Sequence, residues 1–537
     1  MTIKYYDAIV VGGGFGGITQ LFKLREAGYS VHGFERGTFL GGVWHHNRYP
    51  GARVDSEVPT YQLWLEETCK GFAFSERFPG YKELQDYFAF VDTQINVSKD
   101  FTFESNVAQA HWNDHEKNWD IIVTGKGAGN YKCKYLILCT GFASKKMYPN
   151  ISNRDVFKGT SFHTADWPNE GVDVKNKRVA VIGTGASGVQ VQEIGGVVNQ
   201  LTVFQRTPNT AIPMRQCSAS KTEQDKRKDS YVELFQRLKV ESATGFEFGR
   251  DKRLAKDCTP EEIKAKFDEC WENGGMRFWE ANFDDLLTDK ASNKLAYDYW
   301  REKVYERVKD RRKRKLLAPE KQLHPIFTKR PSLEQTYYDV LNQENVDIVN
   351  CKNTPLLEVT ETGLRTTEGD FNFDIIIYAT GFDAVTGGFY QIDLTGKNGV
   401  TLHEKWKAGT YTYLGMTIAD FPNLFFLYGP QSPSAFSNGP TCCLIQSEWI
   451  RDTIEYTENH DYKSITPSNN AQLDWKEHIN TGANKTLLPF ADSWYMGVNR
   501  EGKRPRECLI YVFGSNTYYN DINREGLGNN YRNFIFE

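Results

Sequence analysis

The sequence lacks several features that mark particular classes of protein. No apolar run in its 537 residues reaches the roughly 18 residues that cross a bilayer, so we expect no membrane span. The ten cysteines are irregularly spaced and form no C-x-x-C pair, which argues against a zinc site and against a disulfide framework. The formal net charge is only -4, which argues against nucleic acid as the main partner.

The composition is that of an ordinary globular protein. Of the residues, 39% are hydrophobic and 25% are charged, which does not fit a disordered or fibrous chain. The first residues run directly into a strand-like segment, without the basic and apolar parts of a secretory signal. We therefore expect a soluble, cytoplasmic protein.

A glycine-rich motif follows the first short apolar segment, residues 8–11. It has the form G-x-G-x-x-G on Gly12, Gly14 and Gly17, and a helical pattern follows it. Such glycines permit a tight turn, a close approach of the backbone to a pyrophosphate, and helix–strand packing. A second apolar segment ends in Glu35, whose carboxylate can accept hydrogen bonds from ribose hydroxyls. This order predicts a dinucleotide site.

A second motif of the same form follows residues 178–182. Its glycines are Gly183, Gly185 and Gly188, and Arg206 lies 23 residues after the first of them, the offset that separates Glu35 from Gly12. A carboxylate at this offset suits a free 2′-hydroxyl, whereas a guanidinium grips a 2′-phosphate. We therefore expect the second site to prefer NADP to NAD; the alternative is that Arg206 is a solvated surface charge.

Two such units predict an α/β fold with two Rossmann-like dinucleotide-binding domains. They indicate a flavoprotein in which NADPH reduces bound FAD. Residues 135–141 and 373–382 are apolar segments that reach a Thr-Gly pair, as expected where the chain crosses between the two domains.

A third motif carries a resemblance to a known family. Phe157, Gly159, His163, Trp167 and Pro168 complete the pattern F-x-G-x-x-x-H-x-x-x-W-P/D. This pattern resembles the fingerprint of the type I Baeyer–Villiger monooxygenases, and related flavin-containing monooxygenases carry Tyr or Phe in place of Trp167.

A second signature of that family is also complete. It has the form G-G-x-W-x-x-x-x-Y-P-G-x-x-x-D, on Gly41, Gly42, Trp44, Tyr49, Pro50, Gly51 and Asp55. With Lys329-Arg330 and residues 379–383, the resemblance extends from residue 8 to past residue 500.

The resemblance implies an FAD-containing, NADPH-dependent enzyme that acts on a ketone and O2. Reduced flavin forms a C4a-peroxyflavin, and one oxygen atom enters beside the ketone carbonyl to give an ester or lactone. Arg330 matches the catalytic arginine of the family, and Asp55 matches the carboxylate that aims it. A plain interdomain salt bridge is the alternative for this pair.

The resemblance assigns further residues to the cofactors. Lys329 and Thr207 join Arg206 around the 2′-phosphate, and Trp44 and Tyr49 lie at the flavin. Trp494 matches a tryptophan on a mobile loop, for which Gly497 and Gly502 supply hinges. His163 could act as a general acid or base, but we favour a structural role for it, bonded to backbone between the domains.

Other activities remain open as alternatives. The same flavin chemistry could oxidise sulfur or nitrogen, as in the flavin-containing monooxygenases. A redox sensor that binds FAD and NADP without catalysis would be expected to have lost Arg330 or Asp55, and both are present. A flavin disulfide reductase needs a cysteine pair near the first motif, which is absent since Cys69 is the first cysteine.

The motifs also suggest how the chain is divided. We expect an FAD-binding domain from residues 1–145 and 380–537, the latter with a mobile C-terminal loop, and an NADPH-binding domain from residues 146–215 and 325–379. Residues 216–324 have helical spacing and form an insertion. Its basic run, residues 311–315, is expected to be the solvated face of a helix rather than a nucleic-acid site. We expect a monomer or small homo-oligomer, with no metal site.

Overall fold

The computed structural model of the chain describes residues 3–498 and 504–537. Most of its strands are short, and the central ones end at the glycine turns identified in the sequence. The β-branched ends of the first and eighth strands are buried, because parallel sheets are covered by helices on both faces.

The strands are numbered in chain order. They are β1 Lys4–Val11, β2 Val31–Phe34, β3 Phe101–Thr102, β4 Ser105–Asn113, β5 Asn118–Gly125, β6 Gly129–Leu138, β7 Thr160–His163, β8 Arg178–Ile182, β9 Gln200–Gln205, β10 Ile212–Pro213, β11 Leu333–Glu334, β12 Val346–Asn350, β13 Leu356–Thr360, β14 Gly363–Thr366, β15 Gly369–Asn372, β16 Ile375–Tyr378, β17 Asp393–Thr395, β18 Leu424–Phe426, β19 Ile465–Pro467 and β20 Phe534–Phe536.

The α-helices are numbered in the same way. They are α1 Phe15–Glu26, α2 Val43–His46, α3 Glu66–Cys69, α4 Tyr81–Ile95, α5 Ala186–Val191, α6 Lys221–Arg227, α7 Tyr231–Glu241, α8 Pro260–Asn273, α9 Arg277–Glu280, α10 Lys290–Arg307, α11 Arg311–Leu317, α12 Tyr337–Leu341, α13 Leu402–Lys405, α14 Gly439–Asn459, α15 Asn469–Asn484 and α16 Ser515–Glu525.

The first large sheet is mixed. Its order is β17-β4-β5-β6-β1-β2-β3, and β18 also pairs with β6. The parallel part contains β1, β2, β3, β18 and the end of β6, whereas β4, β5 and the start of β6 form an antiparallel meander. Strands β17 and β18, which come from after residue 390, thus join the sheet that contains β1.

The second large sheet is parallel throughout, in the order β12-β9-β8-β16-β7. Strands β7, β8 and β9 come from one part of the chain, and β12 and β16 come from a later part. Between these parts lie α6 to α11, which together make a helical insertion. The predicted fold class, α/β with two Rossmann-like domains and a helical insertion, is confirmed.

The insertion shows ordinary local signals for its helices. Thr259 caps the amino end of α8: its side chain accepts a hydrogen bond from the Glu262 amide, while the Glu262 side chain accepts one from the Thr259 amide. Pro260 occupies the first turn, where its missing N–H costs nothing. These residues fix where the helix starts.

The basic run of α11 is only partly a solvated face. Lys313 is buried, and its Nζ donates to the carbonyl oxygens of Leu341 at 2.8 Å and Val346 at 2.6 Å. The ammonium therefore satisfies one carbonyl group at the end of α12, as cations near helix C-termini do, and another at the start of β12. The expectation of a solvated face does not hold for this lysine.

Across residues 3–498 and 504–537, none of the helices has the length and apolar character that a membrane crossing requires. In the same ranges no three His, Cys, Asp or Glu side chains are grouped so that they could hold a metal ion.

Candidate active site

The first glycine turn joins β1 to α1. Gly12 has φ of 110°, and a Cβ there would lie 2.5 Å from the carbonyl oxygen of Cys139. A Cβ on Gly17 would lie 1.7 Å from the carbonyl oxygen of Gly12. A Cβ on Gly14 would meet only Gly42 Cα, at 3.5 Å. The protein itself therefore requires the outer two glycines, whereas the middle one leaves room at the amino end of α1 for an anionic ligand.

Glu35 lies at the end of the next strand and is buried. Its carboxylate accepts hydrogen bonds from the amides of Gly13 at 2.7 Å and Gly37 at 2.6 Å, and contacts His46 Nε2 at 3.4 Å. Burial opposes ionisation, but the bonds from His46, Gly37 and Gly13 keep the pKa of Glu35 below its ordinary value. The three donors leave about one of four acceptor positions for a ligand hydroxyl.

The second turn, between β8 and α5, repeats the first. Gly183 also has φ of 110°, and a Cβ there would lie 2.4 Å from the carbonyl oxygen of Ala379. A Cβ on Gly188 would lie 2.3 Å from the carbonyl oxygen of Gly183, and one on Gly185 would have no atom within 4 Å. This turn has the same open space at the amino end of its helix, which fits a second pyrophosphate.

Positive charge gathers at the end of β9. Arg206 is exposed there, and Lys329 lies close enough to both Arg206 and Lys352 to feel their charges. Burial, with the charge of Arg206, lowers the pKa of Lys329 to about 8, although Asp492 opposes the shift. Three cations with a depressed lysine pKa make a site for a doubly charged anion such as a phosphate. Sequence reasoning missed Lys352, a single lysine in a turn with no motif around it.

Thr207 follows Arg206 and is held by its backbone. Its carbonyl oxygen accepts a hydrogen bond of 2.7 Å from Thr184 Oγ1, a residue of the second glycine turn. The turn and the cationic segment are thereby tied together.

Arg330 and Asp55 form a bidentate ion pair. Nε donates to Asp55 Oδ2 at 2.7 Å and Nη2 donates to Asp55 Oδ1 at 2.9 Å. Burial alone would lower the pKa of Arg330, but the Asp55 carboxylate raises it above its ordinary value. Arg330 is only 18% exposed and Asp55 only 30%. The guanidinium is thus a permanent positive charge in a fixed orientation.

Two further segments enclose Arg330. Its Nη1 donates to the carbonyl oxygen of Ala435 at 2.5 Å, and its Cζ lies 5.6 Å from the ring centroid of Trp279 in α9. Lys329, the preceding residue, faces the cationic cluster. One short segment therefore serves two sites. Sequence reasoning missed Ala435, which contributes only its backbone, and Trp279, one of 12 tryptophans.

Comparisons with known proteins agree with this geometry. A family model described as pyridine nucleotide-disulphide oxidoreductase matches residues 6–266, which include both glycine turns. The chain is 40% identical over 518 residues to the cyclopentanone 1,2-monooxygenase of Comamonas sp., which covers 96% of this chain and 94% of the relative. It is 35% identical over 522 residues to a Baeyer–Villiger monooxygenase of Pseudooceanicola batsensis, covering 96% and 94%.

A solved structure agrees over the whole length. The crystal structure of OTEMO in complex with FAD and NADP superimposes with a TM-score of 0.94 at 35% identity, covering 100% of both chains.

The chain belongs to the Baeyer–Villiger monooxygenase family. The predicted resemblance is confirmed, and the chain is a flavin-dependent monooxygenase of that type. In this monooxygenase none of the ten cysteines, all of which lie in the described ranges, is paired in a disulphide.

The signature segment of the monooxygenase connects its two large sheets. Tyr49 Oη donates to Gln190 Oε1 at 2.8 Å and accepts from Ser187 Oγ at 3.1 Å, both in α5. A Cβ on Gly51 would lie 2.3 Å from the carbonyl oxygen of Gln190. Tyr49 therefore contacts the helix of the second glycine turn, and its expected place at the flavin stays a prediction.

Trp44 lies in α2, the short helix that starts directly after Gly42. Its Nε1 donates to Tyr61 Oη at 2.9 Å, and burial raises the pKa of that phenol. Gly42 packs closely against Gly14, since a Cβ on Gly42 would lie 3.0 Å from Gly14 Cα. The start of α2 therefore lies beside the first glycine turn, and Trp44 remains a candidate flavin contact.

Within the fingerprint of the monooxygenase, His163 is buried and bonded to backbone groups. Nδ1 of His163 accepts from the Ala165 amide at 3.1 Å, and Nε2 lies 3.0 Å from the carbonyl oxygen of Gly381. The first bond makes Nε2 the protonated nitrogen, and burial lowers the pKa of His163. A neutral histidine held by two backbone groups is what a structural role needs.

The other fingerprint residues pack around this histidine's strand. Trp167 is buried with its ring edge-on to Phe162 at 5.0 Å. A Cβ on Gly159 would lie 2.5 Å from the ring of Phe157. Pro168, next to Trp167, ends the motif.

Trp494 lies over the first crossing between the domains. Its ring stacks on Phe142 at 5.7 Å, and Phe142 directly follows Gly141. Gly497 ends this turn with φ of 66°, while Gly502 lies outside the described residues. The mobility of this segment stays a prediction.

Proposed function

We propose that the chain binds FAD at the first glycine turn and NADPH at the second. With O2, it would insert one oxygen atom beside a ketone carbonyl to give an ester or lactone. The relatives support this assignment, since one is named for cyclopentanone and a solved structure is titled as a complex with FAD and NADP. The open space beside Gly14 and Gly185 suits the two pyrophosphates.

The observation that carries the proposal is the Arg330–Asp55 pair. When bound and reduced, the flavin supplies an oxygen atom taken from O2. Arg330 is the group that we assign to stabilise negative charge on oxygen during transfer, because its pKa leaves it charged at any working pH. Asp55 orients the guanidinium through both carboxylate oxygens.

The remaining cofactor residues follow from their places in the fold. We assign Gly12, Gly17 and Glu35 to the FAD site, with Trp44 and Tyr49 as further candidates. We assign Arg206, Thr207, Lys329 and Lys352 to the 2′-phosphate of NADPH, and Trp494 to a cover that excludes water near the crossing at Gly141.

The proposal includes the division of the chain given by the sequence. Residues 1–145 and 380–537 would bind FAD, and residues 146–215 and 325–379 would bind NADPH. Residues 216–324 would be the helical insertion. The strand pairings support this division. We further propose that the protein is a monomer or small homo-oligomer and that it is cytoplasmic. The ten unpaired cysteines support the cytoplasmic location.

The decisive experiment replaces the central cation. Arg330→Ala should lower ester formation from cyclopentanone at least 100-fold, the size of effect seen when an oxyanion donor is removed, while flavin content stays at the wild-type level. Arg365→Ala is the matched control, because Arg365 makes a similar bidentate pair with Asp370 at 2.7 and 3.1 Å on the surface. Product analysis by gas chromatography measures both variants.

Two results would contradict the proposal. Retained ester formation in Arg330→Ala would remove its assigned role. If the wild-type protein oxidised a thioether to a sulfoxide but gave no ester from any of a panel of linear, cyclic and aryl ketones, the alternative of sulfur or nitrogen oxidation would replace ketone oxidation.

A further inference from the structure

The hydroxyl of Tyr495 is buried, and its proton has no acceptor. The residue is fully buried, and no polar atom of the described residues makes a hydrogen bond of normal geometry with its Oη. The Arg330 guanidinium lies beside it, but a guanidinium can only donate. Leaving a buried hydroxyl unpaired costs about 1–3 kcal/mol. Such a group, in a site that binds ligands, is explained when a ligand completes it.

The surroundings place this hydroxyl at the Arg330 site. The ring of Tyr495 lies edge-on to Phe436 at 5.1 Å and against Trp494 at 4.2 Å. Phe436 in turn lies edge-on to Trp279, the tryptophan over Arg330. A continuous set of aromatic contacts thus connects Tyr495 to the Arg330 guanidinium.

The charged groups that face Tyr495 are Arg330, Glu280 and Asp55. Burial raises the pKa of its phenol, with Glu280 and Asp55 in the same direction, and Arg330 opposes the rise. The phenol is therefore protonated at any working pH, and its O–H is a donor.

Arg330 also has an N–H group to share with the same ligand. Of its five N–H donors, three are engaged, by the two oxygens of Asp55 and by the carbonyl oxygen of Ala435. The contact with the Tyr495 hydroxyl takes at most one more. A carbonyl oxygen that gains negative charge has at least two lone pairs, so it can accept a second hydrogen bond besides one from Arg330.

We propose that Tyr495 donates a hydrogen bond to the carbonyl oxygen of the ketone, next to Arg330. This rests on the proposed function. The oxygen would accept from the phenol and from a free guanidinium N–H, so that Tyr495 acts both in binding the ketone and in stabilising the charge that develops on its oxygen.

Tyr495→Phe tests the proposal, because it removes only the hydroxyl. Tyr337→Phe is the matched control, since Tyr337 in α12 is likewise buried with an unpartnered Oη, and the charged group near it is Glu334 rather than Arg330. Neither change should lower the Tm. We expect Tyr495→Phe to lower kcat/KM for cyclopentanone by about tenfold to a hundredfold, the value of one hydrogen bond to a charged group, while Tyr337→Phe leaves kcat/KM unchanged.

Equilibrium binding gives a second, independent readout. Calorimetric titration of the oxidised holoenzyme with cyclopentanone and with methylenecyclopentane, which has the same shape but no acceptor oxygen, separates hydrogen bonding from shape. Tyr495→Phe should weaken the binding of cyclopentanone and leave the binding of methylenecyclopentane unchanged.

The outcomes are distinct. Unchanged ketone affinity and kcat/KM in Tyr495→Phe, or equal weakening of both ligands, would overturn the proposal for Tyr495. A wild-type protein that forms no ester would instead overturn the proposed function on which it rests.

Discussion

The two glycine turns of this protein have nearly the same backbone and opposite electrostatics. In both turns the first glycine has φ of 110° and packs against a carbonyl oxygen, that of Cys139 or of Ala379. The third glycine of each turn packs against the carbonyl oxygen of the first. Glu35 beside the first turn is buried and held by amides, whereas Arg206 beside the second is exposed among lysines.

The difference teaches how one motif serves two nucleotides. The turn provides helix amides for a pyrophosphate, which both dinucleotides contain. In our proposal the residue at the end of the following strand faces the ribose, where only one of the two dinucleotides carries a phosphate. On that proposal, backbone geometry sets the class of ligand, and a single side chain with its neighbours sets which dinucleotide binds.

The largest expected effect comes from breaking the first turn. Gly17→Ala forces a Cβ against the carbonyl oxygen of Gly12, so we expect a loss of about 3 kcal/mol or more in the free energy of unfolding together with loss of bound flavin. Gly14→Ala meets no close atom and should keep the stability while weakening flavin retention. Urea unfolding and the absorbance of the purified protein measure the two effects.

The second turn is the internal control for this prediction. Gly188→Ala should destabilise and Gly185→Ala should not, with NADPH affinity in place of flavin content as the ligand readout. If the outer and middle glycines gave equal losses of stability, the shared geometry would not explain the motif.

A smaller effect is expected where the turns differ. Arg206→Ala removes a charge-assisted contact, so the KM for NADPH should rise about tenfold to a hundredfold while the KM for NADH stays the same. Steady-state kinetics with both cofactors gives the ratio. An unchanged ratio would mean that Arg206 is an ordinary surface charge.

The smallest effect concerns pH at the second site. The pKa of Lys329 lies at about 8 in the free protein, so its charge is lost as pH rises through that value. The Kd for NADP+ should therefore increase above about pH 8, by up to about tenfold at pH 9, and the Kd for NAD+ should not.

Lys329→Arg supplies the control for the pH dependence, because a guanidinium keeps its charge in this range. Titrations followed by fluorescence at pH 6 to 10 should give a flat curve for that variant. A wild-type curve that is equally flat would contradict the role of Lys329.

Much of the fold was predictable because its signals are local. A short β-branched segment, a glycine turn and a helix follow one another within 20 residues, and Arg206 emerged from an offset counted along the chain. Arg330 and Asp55 came from the resemblance to the family, and their roles stay predictions although the structure brings them into contact. Lys352, Ala435, Trp279 and Tyr495 were out of reach, since each is an ordinary residue type without a surrounding pattern.

The sequence by itself determined the two strand–turn–helix units and the opposite charges at residues 35 and 206, because steric limits on glycine positions and strand offsets act over short distances. Only the tertiary structure decided which side chains surround Arg330. That set comes from four separate parts of the chain, and Arg330 and Asp55 alone are 275 residues apart. Whether these residues meet depends on how the two large sheets and the helical insertion pack. Burial by that packing is what fixes the orientation of a charge that would otherwise be solvated at the surface.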